Sequence, residues 1–147
     1  MVSQWHEKAK SFTKLGRLNV ALHCWDRAIQ EDPSDAEAWA AKGVTLEKLG
    51  KHMEAIDCYT EATDLNPFFA LAWYNKGAVL GNLGKYREAL GCFMEAKRQG
   101  HPKAEDAIES CETALGEDPW VRKAPAVKNP LKNPLKETTK KKRRRFW

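Results

Sequence analysis

Four cysteines, four histidines and a run of six cations are the residues of this 147-residue chain whose types could do chemistry. Cys24, Cys58, Cys92 and Cys111, with His6, His23, His52 and His101, are the usual thiolate and imidazole ligands of zinc, and a pair of thiols can close a disulfide. Their spacing argues against both. Cys24, Cys58 and Cys92 recur every 34 residues, a period set by an internal repeat, and no histidine stands at a ligand spacing from them. Equivalent atoms in stacked helix pairs lie on the order of 10 Å apart, given helix packing distances of about 8–10 Å, beyond disulfide reach. Packed free thiols are expected, at Cys111 as well. No glycine loop to cradle a phosphate, no HExxH and no nucleophile elbow is found. Acid pairs such as Glu31-Asp32 fall at helix ends, where carboxylates are ordinary. The chain reads as non-enzymatic, with no catalytic residue, metal or cofactor.

The cations tell a different story. Lys140, Lys141, Lys142, Arg143, Arg144 and Arg145 are consecutive, followed by Phe146 and Trp147. They close a segment, residues 118–147, with four prolines, a duplicated Asn-Pro-Leu-Lys unit at Asn129 and Asn133, and net charge +9, against −4 for residues 1–117. That composition predicts a disordered basic tail rather than a packed unit. Its charge suits polyanions, namely RNA, DNA or an anionic surface, or reading by a nuclear import receptor.

The elements that position everything else come from comparing the chain with itself. Trp5, Trp39 and Trp73 recur in register; so do Leu15-Gly16, Leu49-Gly50 and Leu83-Gly84, and Ala21, Ala55 and Ala89. Trp25, Tyr59 and Phe93 form an aromatic column, and Ala28, Ala62 and Ala96 a small one. Three copies follow, at 2–35, 36–69 and 70–103. In the middle copy, Trp39, Ala40, Val44, Leu46 and Leu49 mark one helix, which Gly50 stops. A second runs from about His52 to Leu65, with Ala55, Ile56, Tyr59, Ala62 and Leu65 on its apolar face, and Asn66-Pro67 ends it. Such a pair cannot bury its stripe alone, so copies must stack. Residues 104–117 predict a capping helix, apolar at Ala107, Ile108, Cys111, Ala114 and Leu115 and acidic on its other face.

This register of tryptophan, glycine, alanine, aromatic and proline resembles the tetratricopeptide repeat. The resemblance implies an all-α fold: a right-handed α-solenoid of three helix-turn-helix repeats, a C-terminal capping helix and the basic disordered tail. It departs from the family at Lys8, Lys42 and Lys76, which occupy a leucine column, and at His101, which stands where Pro33 and Pro67 do. The last junction is therefore expected to be irregular.

The resemblance also implies a concave groove, lined by the first helix of each repeat, that holds an extended or helical segment of a partner protein. His6, Lys10, Glu37, Ala41, Val44, Leu71, Tyr74, Asn75, Ala78 and Asn82 are the candidate groove residues, with Tyr74 and Asn75 as its anchor beside Ala41 and Ala78. The tryptophans recur with the repeat and read as structural, because a surface that reads a partner should vary. The best-known subgroup of the family grips a terminal carboxylate with lysine, arginine and asparagine. The matching columns here carry His6, Lys10, Ala41, Leu71 and Asn75, of which only Asn75 is of a suitable type as placed. A protein-interaction scaffold or adaptor is thus the expected function; the alternative is polyanion binding by the tail with the repeats as carrier. No apolar run is long enough to span a bilayer, and a cytoplasmic location is expected, or a nuclear one should the source be eukaryotic. The oligomeric state is not written in the sequence.

Overall fold

The computed structural model describes residues 3–117; the tail at 118–147, with its expected disorder and its cationic run, lies outside them. Seven helices and no strand are present among the described residues: α1 (Gln4–Lys14), α2 (Leu18–Glu31), α3 (Ala36–Lys48), α4 (His52–Leu65), α5 (Ala70–Asn82), α6 (Tyr86–Arg98) and α7 (Ala104–Glu117). No described helix is long and apolar enough to cross a membrane. Successive helices pack against one another through α6, within a unit spanning Met1–Leu115.

Each first helix is stopped by the same device. Gly50 takes φ 77°, a region open to glycine at little cost. There its N–H bonds the Glu47 carbonyl at 2.9 Å while the Lys51 N–H bonds that of Leu46 at 2.9 Å. These two bonds satisfy carbonyls that the helix end would otherwise orphan. Gly16 and Gly84 repeat the arrangement. The second helices end differently. Asp32 and Asn66 are extended, at φ −139° and −136°, because the prolines that follow disfavour the α region. The third repeat breaks this rule: proline comes one place late, and α6 instead ends on Gly100 at φ 85°, with the His101 N–H on the Ala96 carbonyl.

Small residues let the helices approach. Ala9, Ala21, Ala38, Ala55, Ala62, Ala72, Ala89 and Ala96 are wholly buried, and a Cβ on Gly43 or Gly77 would stand 2.7 Å from the Tyr59 ring or 2.8 Å from that of Phe93. The four thiols are free and buried. Burial pushes Cys58 up to about 11 and raises Cys92 and Cys111 too.

Candidate functional site

The first helices carry two unlike faces. On one, Trp39 Nε1 donates to the Pro33 carbonyl at 3.1 Å and Trp73 Nε1 to that of Pro67 at 2.9 Å, so each indole latches a repeat to the turn before it. Lys8, Lys42 and Lys76 lie over the rings of Trp5, Trp39 and Trp73, with Nζ 4.7, 5.6 and 5.8 Å from the centroids. One helical turn separates each lysine from its ring, and the ammonium is attracted to the ring face. Lys42 also pairs with Asp26 at 2.7 Å.

The other face holds the candidate groove residues, and it is divided. Lys10, Glu37, Ala41, Val44, Leu71 and Asn75 come together around a recess of about 380 Å³ floored in part by Trp25. Its walls are mostly apolar, since Ala40, Val44, Phe69 and Leu71 contribute, and Leu71 is half exposed. Tyr74, Ala78 and Asn82 line a second recess of about 560 Å³, with Phe93 behind them and Asp106 and Ser110 of α7 across it. Adjacent residues on a helix point about 100° apart at 3.6 residues per turn. Tyr74 and Asn75 accordingly face different recesses rather than forming one anchor. Tyr74 stacks on His101, ring centroids 4.1 Å apart and nearly parallel, and tilts against Phe93 at 5.4 Å. Burial lowers the pKa of His101, with Lys103 adding to the shift.

His6 is not an open groove contact. It is 3 % exposed, meets the Trp25 ring edge-on with centroids 4.8 Å apart, and lies 3.5 Å from Asp35 Oδ2 and 3.4 Å from Glu37 Oε1. Around it opens a third recess, of about 650 Å³, bordered by Glu31, Asp32, Asp35 and Glu37. Local structure fixes these acids. Asp35 caps α3 by accepting from the Ala38 N–H at 3.1 Å. Asp32 Oδ1 accepts from the Ser34 N–H and hydroxyl, which lowers its pKa, and Glu31 accepts from the Ser3 hydroxyl. Lys10 reaches Glu37 at 3.7 Å.

Sequence reasoning set Glu31 and Asp32 aside as ordinary helix-end carboxylates, and it did not single out Asp35 or Trp25 as groove residues. Trp25 sits in the column of Tyr59 and Phe93, which signalled packing alone. It is 2 % exposed, and its indole N–H has no hydrogen-bond partner. At the equivalent place Tyr59 donates its hydroxyl to Glu47 Oε2 at 2.9 Å; burial and the nearby carboxylate raise its pKa.

Comparison with known proteins places this architecture. Profiles described as "Tetratricopeptide repeat" match residues 36–69 and 58–91, and one described as "TPR repeat" matches residues 9–50. None of the curated proteins matches the chain. Among solved structures, the first tetratricopeptide domain of Spaghetti (RPAP3) bound to an HSP90 peptide, SRMEEVD, is similar with a TM-score of 0.73 at 21% identity, over 76% of this chain and 90% of that one. The Sgt2 domain from Aspergillus fumigatus gives 0.74 at 15% identity, over 84% of each. The second domain of human RPAP3 in complex with an HSP70 peptide, SGPTIEEVD, gives 0.69 at 24% identity, over 74% of this chain and 92% of that one. At these identities the likeness is one of fold.

Proposed function

Since the chain belongs to the tetratricopeptide repeat family, we propose that it is a non-enzymatic interaction module whose concave face holds an extended or helical segment of a partner protein. One observation carries the reading. The recess between α1, α3 and α5 is open, largely apolar and lined from columns that differ between repeats, with Lys10 against Val44 in one and Glu37 against Leu71 in another. Uniform columns serve stacking, whereas unlike ones give a surface with an address.

The partner differs in kind from the acidic peptides named for two of the similar structures. Of the columns that grip a terminal carboxylate in the family's best-known subgroup, His6 is buried and Leu71 is aliphatic here. Ala41 offers no donor, and only Asn75 supplies a fitting amide. Pull-down with the full chain and with a Leu71→Asn variant, read by mass spectrometry, tests the proposal. Proteins held by the parent should be lost from the variant while helicity stays unchanged. An identical set from both would overturn it.

A further inference from the structure

Resting on that reading, we propose that the groove over α1 and α3 takes a peptide segment in which an aliphatic side chain stands within two positions of a lysine or arginine. Three neighbouring features ask for the three parts of such a ligand. The apolar recess of about 380 Å³ takes the aliphatic side chain against Ala41, Val44 and Leu71. The buried Trp25 N–H, which has no partner, lies in a residue lining that same recess. What it lacks is an acceptor; the atom is closed to solvent in the free chain, so a main-chain carbonyl of an extended segment supplies one when the recess wall shifts on binding.

The cation belongs at the acidic recess. Glu37 borders both recesses, so a charge placed there is one or two residues from the aliphatic anchor, at about 3.3 Å per residue of extended chain. Glu31, Asp32 and Asp35 complete the rim. Their existing partners leave acceptor capacity free. His6 and Lys10 stand 3.4–3.7 Å from Asp35 and Glu37, longer than ordinary hydrogen bonds, and a carboxylate has about four lone-pair sites. Between these acids a guanidinium or ammonium gains charge-assisted bonds, whereas an acidic ligand meets like charge there.

Selection of a displayed random decapeptide library on the immobilised full chain tests this directly. Each enriched peptide is then synthesised with blocked ends and titrated by fluorescence anisotropy against the parent, Leu71→Asn, Trp25→Phe and Glu31→Gln/Glu37→Gln chains, all checked for unchanged circular dichroism. Peptides that bind Leu71→Asn as well as the parent are not held by the groove and are set aside. Among the rest, a Lys or Arg within two positions of Leu, Ile, Val or Met is expected, with affinity falling at least tenfold in the double Gln variant and severalfold in Trp25→Phe. Leu71-dependent peptides without a cation, or indifferent to the double Gln substitution, would overturn the inference and leave the groove reading standing. A selection that yields no Leu71-dependent peptide would overturn both.

Discussion

The latching face of the first helices and their concave face are built from the same repeats under opposite rules. On the latching face the second and third copies say the same thing. Trp39 and Trp73 reach back to the carbonyls of Pro33 and Pro67, a lysine one turn on covers each ring, and Gly43 and Gly77 leave room for Tyr59 and Phe93. On the concave face each copy differs: Ser3, Glu37 and Leu71 share one column, His6, Ala40 and Tyr74 another, and Lys10, Val44 and Ala78 a third. Stacking imposes one geometry on every repeat, so residues that stack must recur. A residue free of that duty can be spent on recognition.

Chemical labelling of the Cys58 thiol, which stands in a column that recurs with the repeats, should show the largest contrast. Burial puts the Cys58 thiol at about 11, and the thiolate is the reactive species. Alkylation at pH 8 should therefore be about a hundredfold or more slower in the folded chain than in urea, and should quicken as pH rises toward 11. Rapid labelling of the native protein would show that the column is not packed as described.

Next in size is Gly77→Leu. Its Cβ would stand 2.8 Å from Phe93 Cε1, and overpacking of this kind costs roughly 1–3 kcal/mol. A lowered melting temperature is expected, and an unchanged one would contradict the contact.

Smaller again is Trp73→Phe, which removes the bond to the Pro67 carbonyl at a net cost of about 0.5–1.5 kcal/mol. Trp5 makes no such bond among the described residues. Its replacement by phenylalanine should lower the urea midpoint less, and equal losses at both sites would break the latch account. The smallest effect on stability belongs to Leu71→Asn, half exposed on the concave face; it should stay within about 0.5 kcal/mol of the parent. A larger loss would mean that the face is structural too.

Much of this fold could be read from residue types because each signal was local or periodic. Pro67 fixed the end of α4, Gly50 the end of α3, and the tryptophan column its structural role. What escaped depended on contacts distant in sequence. His6 is buried because Trp25 meets its ring and Asp35, at the N-cap of α3, closes over it. The lysines in a leucine column are the exception, since each lies over the indole one turn before it, a contact that helical spacing already offered. The separation of Tyr74 from Asn75 was available from helix geometry, but which recess each faced depended on α3 and α7. Trp25 could not be told from Tyr59 by type, since both fill an aromatic column and only one has its polar atom satisfied.

Amide chemical-shift mapping tests the central claim most directly, using the isotopically labelled full chain and a Leu71-dependent peptide from the selection. The account predicts perturbations gathered on the concave residues Lys10, Glu37, Ala41, Val44, Leu71 and Asn75 and on the Trp25 indole N–H, with Lys42, Lys76 and the backbone around Pro33 and Pro67 unmoved. Perturbations confined to the tryptophan-lysine face, or to residues 118–147, would contradict it.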